Sequence, residues 1–598
     1  MDIKIRKNWR YLIILVILII ISAVMAHYLE RDFGKVDIDF VRIEGDGGQT
    51  IAAKLYRPVW VTPDNPAPAI INMHGYQNDK DVQAPYSIEL ARRGFVVLAT
   101  DGLGHGDSDG AFNFGMFFGN PLAGMGLNPA YLYLKSLPFV DATNMGATGH
   151  SMGGVMSFAI ADFNGDVKAI VSQDGGTGTP ENSDVLFLQP TMAEFRNTMD
   201  PLQPVDPTAF GLSNPVAWDT TYGNFSDGSA RRAALIWGDH HLMSIAPKGV
   251  AEAVDWFRLS LMNGEQDSHW IDPSSQIYLW KELFGLFALL GTIISLIPLT
   301  NLLLATTFFK PVEQPMPDRY APSKGQWWFF ATVNALIGGV LWLFFAYKGG
   351  DVLGKLPFMK MLMGNGTAYW FLLNAVVASI LIFIWYRTSA KKVGVKTYDL
   401  GFSFDKEKTK FNWTILGKTV LLGVILFAWM YILVALSQWS LAEEFRFGWP
   451  FMRQFHSIQR VGYFLIYLIP ALLFFLINGG VFLFGQARQT ESSTPTKTLW
   501  VWWLKVLYAG LMGLFLVWGL QYLPWAIAGT GPIWPLTATV GAPFAIWILM
   551  LWVYIPTFIV LLFMLTWFFR RTGRIYLGAI VISILVIWFL TAGSVIGV

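Results

Sequence analysis

Residues 11–26, YLIILVILIIISAVMA, open a chain that returns to apolar sequence again and again. Eight further stretches, near 283–306, 326–347, 369–386, 414–436, 462–485, 500–523, 543–569 and 575–596, follow the same pattern. Each of the eight can cross about 30 Å of hydrocarbon as a helix. No water is available there, so the backbone must close its own hydrogen bonds within each run. A polytopic helical region over 283–598 is therefore expected, with Trp residues such as Trp327, Trp328, Trp500, Trp502 and Trp503 as interfacial belts.

Lys4, Arg6, Lys7 and Arg10 flank the first run, which suits a signal peptide or an uncleaved anchor over 1–27. Val24 and Ala26 would permit cleavage, but the later return to the membrane favours the anchor. Either reading sends the next residues out of the cytoplasm. With that side outside, the inner segments hold 19 Lys and Arg and the outer ones 6, the bias expected of this orientation. Few polar groups lie within the runs. Glu282, Lys418 and Lys505 sit near helix ends, where snorkelling suffices. Asn334, Asn374, Asn478 and Gln521 lie deeper and read as helix–helix hydrogen bonders. The amphipathic segment 437–460, with Glu443, Glu444, Arg446, Trp449, Phe451, Arg453 and His456, fits the bilayer surface or the face of a globular domain.

Residues from about 28 to 275 differ in kind, carrying Asp, Gly, Pro and six of the eight histidines. The net charge of +2 gives no argument for nucleic acid, and the absence of cysteine excludes disulfides and thiolate metal sites. Here strand-like runs alternate with helical ones. VDIDFVRIEG and TIAAKLYRP suit an opening antiparallel pair, and APAIINMHGY is a short apolar strand entering a turn. YSIELARRG is a helix ended by Gly94, and FVVLAT a buried strand before the loop DGLGHGDSDG. NMGATGH leads straight into the helix VMSFAIADF. VKAIVSQ, SDVLFLQPT and AALIWGD are strands, and a helix over APKGVAEAVDWFRLSL closes the unit. Continuous apolar strands alternating with helices imply a mostly parallel sheet covered on both faces, with chemistry beyond the carboxyl ends of the strands.

One such end carries Gly149-His150-Ser151-Met152-Gly153 between a strand and a helix. A serine there sits in a sharp turn, with glycines leaving room for its side chain and a helix N-terminus beside it. With MHGY, DGLGHGDS and the late GDHH, these residues resemble the α/β-hydrolase family over roughly residues 36–265. The resemblance implies a doubly wound, mostly parallel sheet, Ser151 as nucleophile, and backbone N–H groups of Tyr76 and Met152 as the oxyanion hole. It makes His105 structural. It orders the catalytic groups as Ser, acid, His.

Of the histidines after Ser151, His269 falls in the linker 266–282 and His456 in the helical region. His240 and His241 follow the last strand, and the usual Gly-x-x-His spacing selects His241, with His240 as the alternative base. The acid is less defined. At the usual position after the seventh strand stands Ala193, with Glu194 next to it. Glu194 is the first candidate, Asp174 after the sixth strand the alternative, and Asp200 a third. The long segment 175–230 is read as a lid or pocket wall. Residues 112–126, FNFGMFFGNPLAGMG, fit a buried loop or an apolar pocket and membrane-facing surface equally.

These features imply a membrane-bound, extracytoplasmic serine hydrolase. It cleaves an ester or related acyl bond of a small or lipid-like substrate, with peptides also open to the fold and no metal or organic cofactor required. The alternative is a transport or acyl-handling membrane protein whose hydrolase-like domain binds or senses substrate.

Overall fold

The computed structural model describes residues 3–176, 178, 180, 182–192, 216–317, 324–406, 411–479, 493–529 and 542–597. The globular part is built on one mixed sheet of nine strands: β1 (Val36–Glu44), β2 (Thr50–Pro58), β3 (Ala67–Met73), β4 (Val96–Thr100), β5 (Val140–His150), β6 (Val167–Gln173), β7 (Asp184–Met192), β8 (Thr221–Tyr222) and β9 (Arg231–Asp239). Their spatial order is β1-β2-β4-β3-β5-β6-β7-β9-β8. β1 and β2 pair antiparallel, as do β2 and β4, and the pairs from β4–β3 through to β7–β9 are parallel. The short β8 closes the far edge antiparallel to β9. It lies in the long excursion, past the one strand that the sequence reading placed there.

The continuous apolar runs of the central strands are explained by two cores, one on each face. Ile71, Leu98, Ala147 and Ile170 enter one, while Ile70, Val97, Val171 and Leu186 enter the other. Successive side chains of a strand point to opposite faces, so both faces must be apolar when both are covered. Each fully buried aliphatic side chain contributes about 1.5–3 kcal/mol. The cover comes from α2 (Ala84–Ala91), α3 (Met152–Asn164) and α4 (Pro247–Leu261), with short helices over 114–136.

Around this unit stand long apolar helices. α1 (Ile3–Glu30) precedes the sheet. After it come α5 (Tyr278–Leu304), α6 (Lys324–Phe345), α7 (Leu362–Thr388), α8 (Trp413–Leu441), α9 (Ile458–Phe474), α10 (Pro495–Ala528), α11 (Ala542–Leu549), α12 (Leu551–Thr572) and α13 (Tyr576–Gly593). Among the described residues nine helices are long and apolar enough to cross a membrane. The first is α1, whose Ile19 and Ala23 share a core with Ala288 and Ile293 of α5. A Cβ on Gly291 would come within 3.0 Å of Ile19, so the two helices approach closely at that glycine. Of the deep amides, Asn334 bonds the Ala509 carbonyl across helices at 2.8 Å, whereas Asn374 bonds back to Trp370 within its own helix.

The two parts are joined by a buried ionic lattice, and the segment 442–457 carries much of it. That segment lies against the globular domain. Arg453 reaches Asp79 at 2.5 Å and Asp107 at 2.6 Å, with Arg453 and Asp79 side chains 1% and 0% exposed. Lys80 holds Asp101 and Asp107, each at 2.7 Å. Lys54 on β2 pairs with Asp81 at 2.5 Å and with Glu30, the last residue of α1, at 3.2 Å. Glu282, expected to snorkel, is instead buried and pairs with Arg446 at 2.6 Å while accepting from Gly448 N at 2.9 Å. Arg460 donates to the carbonyls of Thr591 and Ser594 near the end of the last helix. Asp79, Asp81 and Glu444 bring carboxylate oxygens within 4.8 Å of one another, but Arg453 and Lys54 already lie against Asp79 and Asp81, so these acids serve the joint.

Removing one partner of a buried pair leaves an uncompensated charge. Arg453→Met is expected to cost about 3–5 kcal/mol of stability, read as denaturant unfolding of the full-length protein in detergent; an unchanged midpoint would show that Asp79 and Asp107 do not need this cation. Burial, and then the neighbouring Asp79, pushes the Glu444 carboxyl from its ordinary 4.5 up to about 8. The folded state thus holds a proton that the unfolded chain releases, and stability falls as pH rises across that window. Glu444→Gln should not lose this contribution, so its melting temperature relative to wild type should climb between those two pH values; a constant difference would contradict the assignment.

Candidate active site

β5 ends at His150, and α3 begins at Met152. Ser151 between them has φ 55° and ψ −114°, a sparsely populated conformation for a non-glycine residue, of the kind the surrounding structure must enforce. The glycines show how. A Cβ on Gly153 would fall inside the van der Waals shell of Met73 O, and one on Gly149 would strike Gly153 itself. Gly75, at the exit of β3, lies so near that a Cβ would come within 3.1 Å of Ser151 Cβ. Gly175 packs against the Ser151 carbonyl with no room for a methyl group. Three strand ends thus converge on Ser151.

A cavity of about 310 Å3 opens there, lined by Ser151, Met152, Tyr76, Asp174, His240 and His241 among others. Met152 is the first residue of α3, so its N–H has no intrahelical acceptor and is available beside Ser151. Tyr76 follows Gly75, and its ring packs against Phe114 at 4.8 Å. Residues 112–126 resolve into short helices whose Phe114, Phe117 and Phe118 wall the cavity, which settles the choice between buried loop and pocket in favour of the pocket.

The histidine that meets an acid is His240. Its Nδ1 lies 2.6 Å from Asp174 Oδ2, in a pair that is 7% and 15% exposed. Asp174 follows β6 with φ 50°, and its N–H bonds the Leu188 carbonyl of β7. His150 Nε2–H donates to the His240 carbonyl at 2.8 Å, tying the histidine's backbone to the strand that ends at Ser151. The contact with an acid thus falls to His240, the alternative base, and not to the spacing-selected His241. That ring lies 5.2 Å from Trp449, and burial followed by the charge of His240 lowers it to about 4, leaving it neutral at physiological pH. β9 ends irregularly just before the two histidines. The β7–β9 register shifts near Pro190 and Met192, and Gly238 turns the strand at φ 133°. The first-choice acid, Glu194, and the third candidate, Asp200, lie outside the described residues. Asp174, the alternative acid, holds the position next to a histidine.

The remaining histidines stand apart. His105 is buried, with Nδ1 3.0 Å from Leu103 O and its ring beside His74, as a structural role requires. His269 stacks on Trp60 at 4.1 Å, and His456 lies in the ionic joint, 3.9 Å from Asp107. What the sequence did not disclose is the opposite wall. Trp449, Ile546, Leu549 and Met550 of the helical part line the same cavity as Ser151. Nothing in an apolar helix marks one face as a pocket wall, so the only available signal was the amphipathic character of 437–460.

The strand order, the crossover helices and the serine at the β5–α3 turn are those of one fold. The globular part is an α/β-hydrolase domain. Residues 46–184 match the X-Pro dipeptidyl-peptidase (S15 family). No curated protein matches the chain at a significant level. Similar solved structures include a hypothetical protein from Pseudomonas aeruginosa, 27% identical over 24% of this chain and 44% of that one, with a TM-score of 0.22. A bacterial heroin esterase is 14% identical over 38% of this chain and 85% of its own, with a TM-score of 0.28. An esterase from Pyrococcus furiosus is 11% identical over 39% and 96%, with a TM-score of 0.29. The fold assignment rests on the strand order and the family match, and both concern the globular third of the chain alone.

The packing at Gly175 makes a direct prediction. Gly175→Ala must push the Ser151 backbone out of its φ > 0 conformation. It should abolish labelling of Ser151 by a fluorophosphonate while leaving the far-ultraviolet circular dichroism of the protein unchanged; full labelling would mean the turn does not depend on this contact.

Proposed function

We propose that this protein is a membrane-bound serine hydrolase that cleaves an ester or related acyl bond. The observation that carries the proposal is the His240–Asp174 pair in one cavity with Ser151, which sits at a nucleophile elbow. Asp174 accepts from His240 Nδ1–H and so leaves Nε2 unprotonated, the tautomer a general base needs. Ser151 Oγ attacks the substrate carbonyl as His240 takes its proton. The developing oxyanion is met by the N–H groups of Met152 and Tyr76, of the kind whose removal costs roughly 2.7–4 kcal/mol each. His240 returns the proton to the leaving group, and water then releases the acyl group by the reverse sequence. His150, bonded to the His240 carbonyl, is a positioning residue.

We place the hydrolase domain on the extracytoplasmic side of a multi-pass membrane protein. The nine long apolar helices and the Lys and Arg bias of the loops support this. The packing of α1 along α5, with Glu30 tied to Lys54, supports an anchor rather than a leader peptide.

The family match favours a second reading, cleavage of a peptide bond after Xaa-Pro, by the same residues. Full-length protein in detergent should hydrolyse p-nitrophenyl esters faster than Xaa-Pro-p-nitroanilides; the reverse order would establish the peptidase reading. Ser151→Ala and His240→Ala should each lower kcat by about 10^4-fold or more, and Asp174→Asn by roughly 10^4. His241→Ala should retain most activity. If His241→Ala were inactive and His240→Ala active, the assignment of the base would be wrong.

A further inference from the structure

The Ser151 cavity does not end in the hydrolase domain. A second cavity of about 300 Å3 lies beyond it, between α5 and α12. His241 and Trp449 belong to the walls of both and form the partition between them. The second cavity is lined by Leu286, Leu289 and Ile293 of α5, by Val553 and Val560 of α12, and by Phe589 of α13. Among the described residues, no Asp, Glu, Lys or Arg contributes to its wall. Apart from His241, Thr557 and two Trp indoles the wall is apolar, so a phosphate, sugar or peptide would leave most of its polar groups without a partner there. An alkyl chain has no such requirement.

Trp449 sits at the tip of a hairpin closed by the Phe445–Met452 bridge. The hairpin stems are held by the ionic joint through Arg446 and Arg453, so the Trp449 half of the partition is one side chain on a fixed support. The reacting carbonyl would lie at the junction of the two domains, and whatever extends past Trp449 would lie among helices of membrane-spanning character.

We propose that the cavity between α5 and α12 is an acyl-chain subsite, and that the substrate is a lipid or lipid-like ester whose single alkyl chain passes Trp449 into the helical domain. This rests on the Ser151 reading above and names the substrate class it serves. It also gives the helices a task that an anchor of one helix could not perform: they supply half of the substrate site.

The test uses full-length protein in detergent and p-nitrophenyl esters from acetate to dodecanoate. Transfer of each methylene into the cavity should raise kcat/KM roughly three- to fourfold until the cavity is filled. Leu289→Trp and Val553→Trp, which fill the cavity, should lower the ratio of dodecanoate to acetate turnover towards one. A wild-type series with no rise, or variants that keep the wild-type ratio, would overturn the subsite while leaving acetate hydrolysis at Ser151 to uphold the catalytic reading. Should no ester be hydrolysed, the catalytic reading fails, and binding decides the subsite alone. A diazirine-bearing palmitate ester, photolysed with Ser151→Ala protein, should then cross-link to the peptides that hold Leu289 and Val553. Cross-links absent from both would reject it.

Discussion

Arg453 is the group on which the arrangement depends. It is buried, it comes from the helical part of the chain, and its two terminal guanidinium nitrogens lie against Asp79 and Asp107 of the hydrolase domain. A buried cation in that position needs these carboxylates, and Asp79, wholly buried, needs the cation. Lys80, Lys54 and Arg446 extend the same requirement to β2, to the end of α1 and to α5. Neither part can release its partner without leaving charge in a low-dielectric interior. The two are therefore one unit despite being built from opposite kinds of sequence.

The joint also fixes the site. Asp79 lies three residues after Tyr76, and its side chain accepts from the backbone N–H groups of Asp81 and Val82. The same aspartate thus shapes the loop beyond β3 and anchors the hairpin that carries Trp449. A pocket whose walls come from both parts needs such a tie, because a shift of an ångström between them would misplace the apolar wall relative to Ser151.

Much of this was legible in the sequence. The strand pattern, the parallel sheet and the serine between strand and helix follow from local rules: apolar runs for buried strands, glycines where backbones touch, and a turn that only small neighbours allow. The helical region followed from length and hydropathy. What local rules did not reach were pairings that need a count or a direction in space. Gly-x-x-His spacing pointed to His241, whereas the residue that lies against Asp174 is His240. Glu282 sat near a helix end, as a snorkelling carboxylate would, yet it faces Arg446 in the interior.

The sequence by itself determined the main strands and long helices, the apolar side chains of their cores, and that Ser151 stands at a strand-to-helix turn. Those are properties of neighbours in the chain. Only the tertiary structure decided that Asp174 and His240, 66 residues apart, share a hydrogen bond, and that Trp449, Leu549 and Met550 close the cavity around Ser151. Such pairings depend on how distant segments pack, and no local periodicity encodes them.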